Sequence, residues 1–144
     1  MTLEARVDML LGYFNRGTLD VPDGLFDRNA ALVLNGVPYE MRLGRSADDP
    51  LVRLIARGPA GYRFVAQALL RALEQASASV GTLDAGADTA TGTILLQGWL
   101  RGSGGRLEEV LDVTMTLTPG GAIQRVNVAM SEAALARLKD ARRA

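Results

Sequence analysis

Residues 107–130 read LEEVLDVTMTLTPGGAIQRVNVAM, and this stretch decides the fold. Apolar and polar residues alternate with a period of two on both sides of a turn at residues 118–121, which contains a proline and two glycines. Such alternation is typical of a β-strand that buries one face, and a Pro/Gly turn between two such runs predicts an antiparallel hairpin. We therefore expect a long hairpin with one face packed against other elements.

The chain has 144 residues, and this length suits a single domain that spans residues 1–144. Its 16 basic and 16 acidic residues cancel to a formal net charge of zero, so no positive field attracts a polyanion. Aromatic residues make up only 5% of the chain, which leaves few rings for stacking on bases. A nucleic-acid partner is therefore not expected.

Histidine and cysteine are both absent from the sequence. This absence removes the commonest general base, the thiolate nucleophile, and zinc ligation by nitrogen or sulfur. Any acid–base chemistry would depend on Asp, Glu, Tyr, Lys or water, and any metal would need oxygen ligands alone. Since no acidic cluster in the sequence resembles such a site, we expect neither a metal nor a cofactor.

The N-terminal run MTLEARVDMLL carries Glu4 and Asp8 among its apolar residues and lacks the basic leader of a signal peptide. No apolar run approaches the length that crosses a membrane. A cytoplasmic protein without a membrane partner is the default expectation, although a chain without cysteine is compatible with any compartment.

The first half of the chain has mainly helical patterns. Apolar residues at helical spacing predict a helix over residues 3–16 and a clearer amphipathic helix over residues 61–76, GYRFVAQALLRALEQA. Four shorter elements are also expected: a short helix after Asp20 that carries Leu25 and Phe26, a strand at 29–36, an edge strand at 39–43, and a helix from Asp49 to Gly58.

From Ser77 onward the pattern changes to that of strands, at residues 77–84 and 90–101 and then in the hairpin. Ser131 is expected to cap a last helix, whose Leu135 and Leu138 are too few for deep burial. Helices followed by strands favour an α+β fold with the helices on one face of an antiparallel sheet. The basic residues of the last helix suit a solvated tail or a weak contact with an anion: Arg137, Lys139, Arg142 and Arg143.

The element order and the stretch ILLQGWLRGSGGRLEEVLDVTMTLTPGGAIQRVNVAMSE, residues 94–132, resemble the nuclear transport factor 2-like superfamily, in its SnoaL-like and ketosteroid-isomerase-like branch. The resemblance covers essentially the whole chain. It implies a cone-shaped, cystatin-like fold in which helices pack on a curved antiparallel sheet, with a pocket between the two. It also implies a homodimer formed through the convex face of the sheet. Because one fold serves many chemistries, the residues must decide the function.

The resemblance implies three positions for a ketosteroid-isomerase reaction: a carboxylate base, a tyrosine, and a protonated acid that hydrogen-bonds the oxyanion together with the tyrosine. Tyr13, near the end of the first helix, matches the tyrosine. Leu34 lies about where the base is expected. The adjacent Asn35 could orient a carbonyl group or a water molecule but cannot abstract a proton, and Asn before Gly also suits a simple turn.

Asp112 is the candidate for the protonated acid, but the alternation of its strand argues against this role. On that register Val113 and Met115 share the face toward the pocket, and Asp112 points away. One extra residue in the turn, or a β-bulge, would turn Asp112 inward. Gln97 and Trp99 could offer an amide and an indole donor to a ligand, but both faces of their strand are apolar, and Trp99 suits the dimer face equally well.

Three hypotheses follow from these residues. The first is a domain that binds a small hydrophobic molecule in an apolar pocket, with no complete catalytic set. The second is an isomerase or cyclase without metal or cofactor, in which Tyr13 and Asp112 polarise a carbonyl group. The third is an interaction module that uses the convex face of the sheet to assemble with itself or with a partner, and whose vestigial pocket is filled by side chains. The candidate ligand-binding residues are Leu34, Asn35, Gln97, Trp99, Val113 and Met115.

Overall fold

The computed structural model describes residues 2–39, 57–102 and 105–142. Within these residues, three helices accompany a six-stranded sheet. The helices are α1 (Leu3–Asn15), α2 (Gly58–Ala72) and α3 (Glu132–Arg142), and the strands are β1 (Phe26–Leu34), β2 (Val37–Pro38), β3 (Leu73–Ala85), β4 (Thr89–Leu100), β5 (Arg106–Leu117) and β6 (Ile123–Ala129). The α+β class is therefore confirmed. The predicted edge strand at 39–43 and the predicted helix that begins at Asp49 lie largely outside the described residues.

The strands follow the order β2-β1-β6-β5-β4-β3 across the sheet. Neighbours run antiparallel except β1 and β6, which are parallel. The predicted hairpin is confirmed as β5 and β6, joined by a turn in which the Gly121 N–H donates to the Thr118 carbonyl at 2.9 Å. Register shifts interrupt the β1–β6 and β3–β4 ladders, and irregularities of this kind bend and twist a sheet.

Alternation along β5 divides its residues between two faces of the sheet, as predicted. Leu107, Leu111 and Met115 are buried on the inner face, which the helices cover, whereas Val110 and Asp112 are exposed on the outer face. The side-chain period of a strand is two, so Asp112 could point inward only after a shift of register. The register of the β4–β5 ladder runs unbroken from Thr89 opposite Thr116 to Trp99 opposite Arg106.

The predicted short helix after Asp20 is wrong. Residues 21–25 form a turn, in which the Leu25 N–H donates to the Pro22 carbonyl at 3.3 Å, and β1 begins directly at Phe26. Gly24 has φ +88°, a left-handed conformation that does not continue a helix. The signals of an N-cap and a first-turn proline therefore belong to a tight turn at this point.

The predicted end of the second long helix is also wrong. α2 stops at Ala72, and Leu73 already has the extended angles φ −122° and ψ 135°. Leu73 opens β3 opposite Leu100 and is only 1% exposed. An apolar residue at position 73 suits the buried face of a helix as well as that of a strand. The apolar pattern therefore does not show where α2 ends and β3 begins.

Helix α3 begins at the predicted cap, where the Ala134 N–H donates to Ser131 Oγ at 3.1 Å. Its burial, however, was underestimated from the sequence. Leu135 and Leu138 are 8% and 7% exposed, and Ala134 and Ala141 are also buried, because α3 packs against α2 and contacts β3 and β4. Alanine supplies part of this buried stripe, since small side chains let neighbouring elements approach closely.

Candidate functional site

A cavity of about 270 Å³ lies between the three described helices and the half of the sheet formed by β1 and β6. Each of these elements contributes at least one apolar side chain to the lining: Leu10 from α1, Leu34 from β1, Leu69 from α2, Val128 from β6 and Leu138 from α3. Among the described lining residues, only Tyr39, Tyr62 and Lys139 carry polar side-chain atoms. The cavity therefore offers an apolar environment with few polar contacts.

The sheet side of the cavity depends on the parallel pairing of β1 with β6. Leu32 lies opposite Val126, and Leu34 lies opposite Val128, so the inner face of this pair presents four aliphatic side chains to the lining. The volume is just below the roughly 300–1,000 Å³ of typical ligand pockets, which are also mainly apolar with a few polar groups.

Tyr62 is the most buried of the polar lining residues. Its ring stacks on Phe26 with 5.8 Å between centroids, and its hydroxyl donates to the Thr18 carbonyl at 3.1 Å. Burial raises the pKa of Tyr62 to about 12 because the charged phenolate is poorly solvated in the interior. Tyr62 is therefore a neutral group whose proton is already engaged within the protein.

Of the predicted ligand-binding residues, Leu34 lines the cavity. Val113 and Met115 lie on the inner face, as the alternation predicts, but they border a separate depression of only about 10 Å³. That space holds no more than about one water molecule. The side chains of Val113 and Met115 therefore pack the core rather than line the described cavity.

The side-chain amide of Asn35 is hydrogen-bonded to the backbone of a distant segment. Its Nδ2 donates to the Met130 carbonyl at 2.8 Å, and its Oδ1 accepts from the Met130 N–H at 2.7 Å. Nδ2 also lies 3.2 Å from Glu132 Oε1. Because both ends of the amide are engaged, the structure gives Asn35 a role in fastening the chain between β6 and α3 to the end of β1, and it is absent from the described cavity lining.

Gln97 and Trp99 project from the outer face of the sheet, which answers the question that the sequence left open. Gln97 Nε2 donates to Glu108 Oε1 at 3.1 Å, and the Arg106 guanidinium lies 5.6 Å from the Trp99 ring centroid. Hydrogen bonds from Arg106, and then from Gln97, hold the pKa of Glu108 below its usual range. Both candidates thus lie away from the cavity.

Tyr13 and Asp112 are not brought together. Tyr13 is half-buried on α1 with the Arg16 guanidinium 5.2 Å from its ring centroid. Asp112 is exposed on the outer face, between Thr93 and Ala129 of the neighbouring strands. Neither residue, and no carboxylate, is among the described residues that line the cavity.

Residues 2–39, 57–102 and 105–142 contain neither a cluster of metal ligands nor a membrane-spanning helix. No group of three or more acidic side chains there is arranged to hold a metal ion. None of the helices in that part of the chain is both long enough and apolar enough to cross a membrane.

Sequence reasoning overlooked α3 as a wall of the cavity. Leu135, Leu138 and Lys139 all line it. Their spacing of three and four residues was a usable signal, since such residues share one face of a helix. Lys139 is also the only lysine in the chain.

Comparison with solved structures identifies the fold. A SnoaL-like polyketide cyclase from Agrobacterium tumefaciens str. C58 matches 95% of this chain and 97% of its own, with TM-score 0.69 and 17% identity. SalBIII, an epoxide hydrolase/cyclase-like enzyme with a role in pyran ring formation in the polyether salinomycin, matches 90% and 91%, with TM-score 0.64 and 19% identity. A hypothetical protein from Catenulispora acidiphila DSM 44928 with a ketosteroid isomerase-like fold matches 89% and 85%, with TM-score 0.59 and 12% identity.

These likenesses show the fold. The chain has the nuclear transport factor 2-like fold, also described as cystatin-like, in the form shared by SnoaL-like and ketosteroid-isomerase-like proteins. The resemblance drawn from the sequence is thereby confirmed at the level of the fold. No protein-family model matches the chain, and no curated protein matches it. Identities this low do not carry an activity from one protein to another.

Proposed function

We propose that this protein binds a small hydrophobic molecule in the cavity between its helices and the β1–β6 pair. The single observation behind the proposal is a partly open cavity of about 270 Å³ lined mainly by apolar side chains. Protein interiors are otherwise closely packed, and a void of this size leaves its lining without contact partners on one side. An apolar ligand would restore those contacts and lose its own contact with water.

The solved relatives suggest which molecules to try first. One of them is a polyketide cyclase and another acts in the formation of a polyether ring. A panel of flat aromatic polyketides, cyclic ethers, steroids and plain aliphatic compounds would cover both chemistries. Binding to the native state alone raises the melting temperature, and the stabilisation grows with the logarithm of one plus the ratio of ligand concentration to Kd.

A cavity-filling variant tests the location of the site. Ala68 is a half-buried residue of α2 that lines the cavity, so A68F places a ring in the void. We expect A68F to fold and to bind any ligand of the wild type at least tenfold more weakly. The matched control, A136F, makes the same change at an exposed position of α3 and should bind normally. Equal binding by A68F, or no binding across the panel, would count against the proposal.

The enzyme hypothesis has no comparable support, because Tyr13 and Asp112 lie on separate parts of the molecule. Its direct test is D112N, which would abolish turnover of a candidate substrate if the Asp112 carboxyl group were the acid. We expect D112N to behave as the wild type in ligand binding and stability, since Asp112 is exposed.

We also propose a homodimer that uses the outer face of the sheet. Trp99 and Val110 are 40% and 60% exposed there, and exposed large apolar side chains can mark an interface. Sedimentation velocity at several protein concentrations measures the oligomeric state directly.

A further inference from the structure

Lys139 is the only described residue that combines the following three properties. It is the only lysine of the chain, it lines the cavity, and its side chain is exposed. It follows Leu138 and comes one helical turn after Leu135, and both leucines line the same cavity. The aliphatic stem of a lysine can lie along such an apolar wall while the ammonium group remains in water. Lys139 therefore marks a place where the cavity meets solvent.

The charge of Lys139 is not neutralised within the described part of the chain. No described residue forms an ion pair or a hydrogen bond with its ammonium group. Within α3, the residues three and four positions away are Leu135, Ala136 and Arg142, so the helix offers no acidic side chain at the spacing that forms pairs along a helix. The described cavity lining contains no carboxylate either.

We propose that the ligand of this cavity is an amphipathic monoanion, with an apolar body inside the void and a carboxylate that pairs with the Lys139 ammonium group at its mouth. This inference rests on the proposed function and specifies the chemical class of the ligand. The aliphatic wall favours the apolar body, and one unpaired cation favours a single negative charge. A ligand charge placed deeper in the cavity would meet mainly apolar side chains and be poorly solvated.

Two matched pairs of probes separate the contribution of charge from that of apolar burial. Decanoic acid and methyl decanoate, each kept below its aggregation limit, share one apolar body, and naphthoic acid and methyl naphthoate share another. We expect each acid to bind the wild type roughly three- to tenfold more tightly than its ester, which is the range for charge-assisted hydrogen bonds at a partly exposed site. Isothermal titration calorimetry at neutral pH measures both Kd values.

Three variants assign the preference to Lys139. K139M removes the charge and keeps the length of the side chain, so it should bind the esters as the wild type does and lose the preference for the acids. K139R keeps a cation and should retain the preference. R71M removes a positive charge from an exposed position of α2 and should also retain it, which excludes an effect of net charge alone.

Labelling of the amine gives an independent readout. Reductive methylation with isotope-labelled formaldehyde marks only Lys139 and the N-terminal amine, and it preserves the charge. The Lys139 resonance should shift when an acid binds and change little when its ester binds. Equal affinity of acid and ester for the wild type, or a preference that survives in K139M, would overturn the proposed ligand class while leaving the hydrophobic site intact. Failure of both acids and both esters to bind would instead contradict the proposed function itself.

Discussion

Two asparagine side chains in this protein each pair with the backbone of a distant segment. Asn35 exchanges two hydrogen bonds with Met130, and Asn15 does the same with Ala78, donating from Nδ2 to the Ala78 carbonyl at 2.9 Å and accepting from its N–H at 2.7 Å. An amide carries a donor and an acceptor side by side, so it satisfies an N–H and a C=O of one residue together. These contacts fasten α1 to β3 and β1 to the chain that follows β6.

The first prediction concerns the amide of Asn35. N35D keeps an acceptor for the Met130 N–H but places a carboxylate oxygen against the Met130 carbonyl and near Glu132. Asp also tolerates the left-handed backbone of this position, φ +51°. We expect N35D to lower the free energy of unfolding by about 1–3 kcal/mol through the lost donor and the new repulsion, as measured by urea denaturation at neutral pH.

A control for this prediction is N29D, the same substitution at an exposed residue of β1. Its free energy of unfolding should stay within about 0.5 kcal/mol of the wild type. Equal stability of N35D and the wild type would show that the paired hydrogen bonds do not fasten the two segments.

The second prediction concerns pH and Tyr62. Burial raises the pKa of this residue to about 12, against 10 for a tyrosine in water, so the folded protein holds the phenolic proton more tightly than the unfolded chain does. The stability that Tyr62 contributes is therefore fully present below pH 10 and is lost as the pH rises toward 12. Y62F, which loses the hydrogen bond to Thr18, should be less stable than the wild type at neutral pH.

Denaturation of both proteins across the alkaline range measures this effect. The difference in free energy of unfolding between wild type and Y62F should shrink above pH 10. Only the wild type has a phenol at this position, and that phenol ionises more readily in the unfolded chain than in the folded protein. A difference that stays constant across this range would mean that Tyr62 ionises with an ordinary pKa.

At the scale of the elements, the start of α2 rests on the backbone of β1. A Cβ atom added to Gly58 would lie 2.6 Å from the Arg28 carbonyl oxygen and 3.0 Å from that of Asp27, and Gly58 has φ +64°. Both the close approach and the left-handed backbone require glycine here. This contact helps to set the position of α2, which forms one wall of the cavity.

The third prediction follows from this contact. G58A should lower the free energy of unfolding by about 2–4 kcal/mol, since a methyl group would clash with backbone atoms that cannot move aside independently. G120A is the matched control, because the nearest atom to its added Cβ is Thr118 Oγ1 at 3.8 Å. Thermal melts of the two variants give the comparison. A G58A protein as stable as G120A would mean that α2 can shift away from β1 at little cost.

At the scale of the whole molecule, the helices cover one face of the sheet and leave Trp99 and Val110 on the other. Leu95 lies directly opposite Val110 in the β4–β5 ladder, so apolar side chains from two strands adjoin on that face. Charged side chains adjoin them on β5, where Arg106 lies opposite Trp99 and pairs at 3.0 Å with Glu108, two residues before Val110. Apolar residues surrounded by polar ones are characteristic of protein interfaces.

The fourth prediction tests the proposed dimer at this surface. V110K introduces a charge where the outer face is most exposed and apolar, so it should convert a wild-type dimer to a monomer at the same concentration. V37K makes the same change at another exposed valine, 38% accessible and located on the short strand β2, and should leave the dimer intact. Sedimentation velocity distinguishes the species. A monomeric wild type, or a V110K protein that still dimerises, would contradict the proposal.

The sequence by itself determined the α+β class and the β5–β6 hairpin, and it favoured the outward position of Asp112. These features depend on local periodicity and turn chemistry, and a period of two assigns side chains to faces once one residue of a strand is placed. The cap at Ser131 was equally predictable, because a capping side chain contacts the backbone only three residues away.

Only the tertiary structure decided which segments enclose the cavity. The parallel pairing of β1 with β6 joins residues some ninety positions apart, and the packing of α3 on α2 places Lys139 at the cavity wall. The change from α2 to β3 at Leu73 also depends on a distant segment, because Leu73 pairs with Leu100 of β4. Contacts between distant segments are set by the packing of the whole chain, and no local pattern of apolar residues encodes them.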